Sequence, residues 1–68
     1  MALSARNQLK GKVVDIKKGM VMAEVTLEVA PGVNVVAAIT TSSVERLALA
    51  VGKDVGVVIK ATSVMIDA

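Results

Sequence analysis

Hydroxyls and fixed cations are the chemistry-bearing side chains that cluster in this sequence. Ser4-Ala5-Arg6-Asn7-Gln8 opens it, Thr40-Thr41-Ser42-Ser43 stands in the middle, and Lys60-Ala61-Thr62-Ser63 lies near the end. Each group is rich in hydrogen-bond donors, two of the three carry a permanent positive charge, and none contains Asp or Glu. A fully deprotonated tetrahedral dianion presents only acceptor oxygens, so a site for it is built from hydroxyls, backbone N–H groups, guanidinium and ammonium, and not from carboxylates. Phosphate keeps a proton near neutral pH and is better served where an acceptor is present. Histidine and cysteine are absent, which removes the usual general base and the thiolate nucleophile. Nothing in the chain resembles an activated nucleophile or an acid–base pair, so an enzyme is not expected.

Taken singly, each group also has an ordinary structural reading. Ser4 and Arg6 suit a polar arm ahead of a strand. Thr40 to Ser43 suit a strand end leading into a helix, where hydroxyl residues cap the first turn; that same helix end exposes backbone N–H groups and partial positive charge, a seat for an anion. Lys60 falls on the parity opposite to Val57 and Ile59, where a lysine is normally solvated.

The elements that must carry these groups are short strands. Val21, Ala23, Val25, Leu27 and Val29 alternate with Met22, Glu24, Thr26, Glu28 and Ala30, the period of two that marks a half-buried strand. Ala30-Pro31-Gly32-Val33 places proline and glycine where a type II turn wants them. The next run, residues 33–40, is apolar on both parities, which calls for cover on both faces, the second from another subunit. Residues 9–17 form an earlier strand whose apolar parity slips between Val13 and Val14, as at a β-bulge or in a strongly curved barrel. Val55, Val57 and Ile59 alternate with Gly56, Val58 and Lys60, and residues 64–67 follow as a short last strand. Between the third and fourth strands, Ser42-Ser43-Val44-Glu45 has the spacing of a capping box, predicting one helical turn with Val44 and Leu47 inward and Ala48 beside them. Valine supplies 14 of the 68 residues, favouring strand throughout. An all-β, small five-stranded OB-like barrel with one helical turn between strands 3 and 4 matches this layout; an SH3-like barrel or a small sandwich is the alternative.

Sixty-eight residues make one domain, residues 1–68, at the small end of what folds unaided. Disulfides and thiolate metal sites are excluded by the missing cysteines, leaving oligomerisation as the remaining support. With 54% of the residues apolar, the chain carries more apolar surface than one small core conceals. No stretch reaches the roughly 18–20 apolar residues of a membrane span, and the opening residues lack the apolar core of a signal peptide, so no membrane partner and a cytoplasmic location are expected. A net charge of +2 with interspersed signs and no aromatic residue provides neither the basic patch nor the stacking platforms of a nucleic-acid binder.

The three donor groups also carry a resemblance. Ser-Ala-Arg-Asn-Gln followed by Leu-Lys-Gly-Lys-Val is similar to the opening of the molbindin (Mop) family, and Ala-Ile-Thr-Thr-Ser-Ser-Val-Glu-Arg-Leu and Val-Ile-Lys-Ala-Thr-Ser-Val-Met-Ile resemble that family's middle and closing segments. The resemblance implies an OB-like barrel that assembles as a homo-hexamer, a trimer of dimers, and binds molybdate or tungstate at subunit interfaces for intracellular molybdenum storage or homeostasis. It implies metal bound only as the oxyanion, with no further cofactor. Matched residue by residue, Ser4 and Arg6 stand at the opening motif's ligand contacts, Thr40 and Ser43 at hydroxyl donors of the helix start, and Lys60 at the closing motif's cationic contact with the Ala61 backbone N–H beside it. The family's second kind of site, near its threefold axes, is assigned no residue of this sequence. Two other classes stand beside this reading: a detached oxyanion-sensing module acting on a transporter or transcription regulator, and a structural oligomer whose donor groups are only caps and turns.

Overall fold

Strand-forming alternation produces four antiparallel strands in the computed structural model, which describes residues 2–68. They are β1 (Asn7–Lys18), β2 (Met22–Ala30), β3 (Val33–Thr40) and β4 (Asp54–Ile59), in the spatial order β3-β2-β1-β4. A six-residue helix α1 (Thr41–Arg46) links β3 to β4, and a 3₁₀ turn (Ala61–Ser63) follows β4. On β2 the inward set Ala23, Val25 and Leu27 is buried while Glu24 and Glu28 are exposed. Val21, expected to share the inward face, lies ahead of the strand and is 71% exposed.

The parity slip in the first strand is a β-bulge. Val13 pairs with Leu27 and Asp15 with Thr26, leaving Val14 unpaired. Val13 therefore reaches the core, fully buried, while Val14 faces out. The backbone of Val13 is satisfied from elsewhere: its N–H donates to the Lys53 carbonyl at 3.0 Å and its carbonyl accepts from Gly52 N–H at 2.7 Å. The turn ahead of β4 thus serves as the partner that the bulge lacks. At the β2–β3 connection, Gly32 sits at φ +73° after Pro31, as a type II turn requires.

The core is Val13, Ala23, Val25, Leu27, Val44 and Val57, with Ile16, Val35, Ala37 and Ile39 among those packed around it. Helix α1 contributes Val44 alone; Leu47 and Ala48, expected inward, are exposed. The cap also differs from the capping box expected at Ser42. Thr40 is the N-cap, its side chain accepting from Ser43 N–H at 3.1 Å. The helix begins earlier because Thr41 is tied to the first hairpin, its N–H donating to Val21 O at 2.7 Å and its Oγ1 to Gly19 O at 2.8 Å. The helix ends in a Schellman arrangement, Ala48 N–H to Glu45 O and Leu49 N–H to Val44 O, with Ala48 at φ +52° where glycine is usual.

The expected fifth strand is absent from the described residues, and the sheet does not close into a barrel. Residues 64–67 carry strand-forming side chains but meet no strand of their own chain: Met65 is 93% and Ile66 91% exposed. The architecture is mostly β and OB-like, with its two outer strands, β3 and β4, left as edges.

Candidate anion site

The pairing of β1 with β4 brings two of the three donor groups together. Asn7 lies opposite Ile59 at the end of that ladder, so Arg6 and Lys60 follow immediately beyond it, with Ser4 two residues before Arg6 and Ala61 directly after Lys60. All four are exposed. At this end Gln8 Nε2 ties back to the Ala5 carbonyl at 2.7 Å, holding the chain that carries Arg6. Among the described residues the one ion pair is Lys12–Asp54, at 3.9 Å and largely exposed, so neither Arg6 nor Lys60 is neutralised by a carboxylate.

The third group stands at the other end of the sheet. Thr40 pairs with Met22, next to the Lys18–Ala23 pair that closes the β1–β2 ladder. The twelve residues of β1 separate the two ends by up to roughly 36 Å of contour at ~3.3 Å per residue. A tetrahedral anion reaches donors only about 3 Å from its oxygens. The strand register therefore puts Arg6 and Lys60, with Ser4 and Ala61 near them in sequence, at one end of the sheet and Thr40 and Ser43 at the other.

Around Thr40 the hydroxyls form a directed network. Thr40 Oγ1 donates to Ser43 Oγ at 2.7 Å, and Ser42 Oγ lies 3.2 Å from Thr40 Oγ1. Since a hydroxyl has one proton to give, Ser42 must be the donor in that second contact. Arg46 Nη2 donates to Ser43 Oγ at 3.4 Å. Ser43 Oγ thus accepts from two partners, which polarises its own O–H and leaves that proton for an outside acceptor. The first-turn amides are less available than a helix N-terminus suggests, because Thr41 N–H and Ser43 N–H are already engaged. Hydroxyls and Arg46 are the better donors here. Arg46 was not among the sequence candidates; its spacing of three from Ser43 places both on one helix face.

Lys53, in the turn ahead of β4, caps the helix C-terminus: its Nζ donates to Leu47 O at 2.8 Å and Ala48 O at 3.4 Å. Among the described residues no group of three or more His, Cys, Asp or Glu could hold a metal cation. Among the described residues no helix is long and apolar enough to cross a membrane.

This chain matches the TOBE domain model over residues 3–66. It is 53% identical over 66 residues to molybdenum-pterin-binding protein 1 of Clostridium pasteurianum, covering 97% of both chains. Among solved structures it is similar to MopII from Clostridium pasteurianum, with TM-score 0.90 and 52% identity over 98% of this chain and 100% of that one. It is also similar to a molybdate-binding protein from Sporomusa ovata, with TM-score 0.93 and 40% identity over the full length of both. A small OB-like sheet bearing donor groups at its two ends is thus the frame of a TOBE domain. The chain belongs to that family, as a single-domain, molbindin-like protein.

Proposed function

We propose that this protein binds molybdate and tungstate between copies of itself, in a homo-hexamer built as a trimer of dimers, and serves cytoplasmic molybdenum storage or homeostasis. The observation that carries the reading is the separation of the donor groups. Arg6 and Lys60 share one end of the sheet, the Thr40–Ser43 hydroxyls occupy the other, and both sets are free of carboxylates. A second protomer, docked so that its hydroxyl end meets the first protomer's cationic end, completes one shell.

In that shell Arg6 and Lys60 offset the two negative charges. Ser4, Thr40, Ser43 and the Ala61 N–H fix the orientation of the oxygens, and Arg46 strengthens Ser43 as a donor. The relatives named for molybdenum-pterin and molybdate binding support the ligand assignment, and a binding protein needs no catalytic residue. Native mass spectrometry with and without added molybdate tests the proposal. A hexamer that gains mass in whole molybdate increments is expected; an oligomer that takes up no anion would leave the donor groups as caps and turns.

A further inference from the structure

Of the hydroxyls of Thr40, Thr41, Ser42 and Ser43, three have already given their proton within the chain. Thr41 Oγ1 donates to Gly19 O at 2.8 Å and Thr40 Oγ1 to Ser43 Oγ at 2.7 Å. Ser42 Oγ, 3.2 Å from Thr40 Oγ1, donates there because Thr40 has no second proton. Among the described residues Ser43 is the one of the four that keeps its proton for an outside acceptor, so Thr40 acts on a ligand through Ser43. Both lone pairs of Ser43 Oγ are taken in turn: Thr40 fills one, and Arg46 Nη2 approaches the other at 3.4 Å. Arg46 is the basic residue of the last helical turn, where a cation ordinarily meets the final carbonyls. Lys53 holds the carbonyls of Leu47 and Ala48 instead, and the Arg46 guanidinium reaches back toward the helix start. Among the described residues no carboxylate pairs with it.

We infer that Arg46 is a specificity-determining residue: by occupying the second lone pair of Ser43 Oγ it makes that hydroxyl an obligate donor, and so excludes anions that carry a proton of their own. The inference rests on the reading above that Ser43 meets an oxyanion. A serine hydroxyl with a free lone pair is ambivalent. It donates to molybdate, and it rotates to accept from the P–O–H group of hydrogenphosphate. With both lone pairs filled the second option is closed, and the proton of hydrogenphosphate is left facing donors, an unmet group that costs affinity. Arg46 does this as a positioning residue, acting on the ligand through Ser43. Sulfate isolates the effect, being a dianion of nearly phosphate's size and shape without the proton.

Competition calorimetry against molybdate tests this on the full chain, at mildly alkaline pH where hydrogenphosphate is also a dianion. In Arg46→Met the ratio of phosphate to sulfate affinity should rise about tenfold, while sulfate stays in step with molybdate. Arg46→Lys, which keeps a cationic donor, should restore the wild-type ratio. On a Ser43→Ala background, Arg46→Met should leave the ratio unchanged, because no Ser43 lone pair remains to be freed. A ratio that holds its wild-type value in Arg46→Met would overturn the inference, as would a rise that persists without Ser43. Oligomer mass should match wild type throughout, since the Arg46 side chain is exposed; loss of assembly in Arg46→Met would also overturn the inference, because Arg46 would then hold the structure and not the donor. Wild-type protein that binds no molybdate would count against the ligand reading, and this is seen before any variant is compared.

Discussion

Replacing Arg6 or Lys60 with alanine should weaken molybdate binding by an amount that the structure allows to be worked out. Both side chains are exposed and have no carboxylate partner, so their removal breaks no ion pair within the protomer and the loss appears in binding. A charge-assisted hydrogen bond contributes about 1.5–3 kcal/mol, which converts to roughly a tenfold to 150-fold loss of affinity for each variant. The ceiling is set by Coulomb attraction, ~4 kcal/mol per unit charge at 4 Å and an effective dielectric of about 20. Isothermal titration calorimetry on Arg6→Ala and Lys60→Ala measures the effect, with oligomer mass recorded alongside. Lys10→Ala, within β1 and at neither end of the sheet, is the control and should change affinity by less than about twofold, as expected of an exposed charge. Lys53→Ala separates binding from stability. Its ammonium holds two helix-end carbonyls, so it should lose about 1 kcal/mol of stability, or roughly 4–8 °C in melting temperature, with affinity per assembled protein retained. Equal losses of affinity at all four positions would refute the reasoning, because a diffuse positive field and not a defined donor pair would then hold the anion.

Ala48→Gly should stabilise the protein by about 1 kcal/mol, because Ala48 occupies the left-handed C′ position of a Schellman cap where a Cβ is penalised; a melting temperature that fails to rise would contradict this. Gly19→Ala should destabilise by about 1–3 kcal/mol, since its Cβ would stand 2.7 Å from the Met22 carbonyl oxygen in the turn that anchors Thr41, and thermal denaturation reads the loss. Competition calorimetry should find molybdate and tungstate close in affinity. Sulfate is smaller and leaves donors unmet, and protonated phosphate finds no acceptor, so both should bind at least about a hundredfold more weakly, a gap of ~2.7 kcal/mol.

Much of this fold was readable because its determinants are local. Alternation along β2, the Pro31-Gly32 turn and the slip at Val13–Val14 each follow from residues within a few positions of one another, and each appears where the pattern puts it. What was misplaced depends on contacts distant in sequence. The helix cap sits at Thr40 because Thr41 bonds to Gly19 and Val21, more than nineteen residues away. Lys53 resembles any turn lysine until the carbonyls of Leu47 and Ala48 are seen to meet it. Residues 64–67 have strand composition, but composition does not say which sheet, or whose, a strand joins. Of the site, the residue types were legible in three sequence clusters, and the pairing of Arg6 with Lys60 follows from the β1–β4 register. The remoteness of Thr40 and Ser43 was not legible, since distance along a sheet is set by register and not by residue type.

The claim that two protomers build one anion site is tested most directly by complementation. Lys60→Ala and the double variant Thr40→Val, Ser43→Ala disable opposite ends of the sheet, and each protein alone should take up little molybdate in equilibrium dialysis. When the two are mixed, unfolded and refolded together at equal amounts, half of the dimers pair unlike chains. Each such dimer holds one site with both defects and one with none, so uptake should recover to roughly a quarter of the wild-type capacity, at wild-type affinity. Uptake by the mixture no greater than the average of the two variants alone would contradict the account, because it would mean that each site is complete within a single chain.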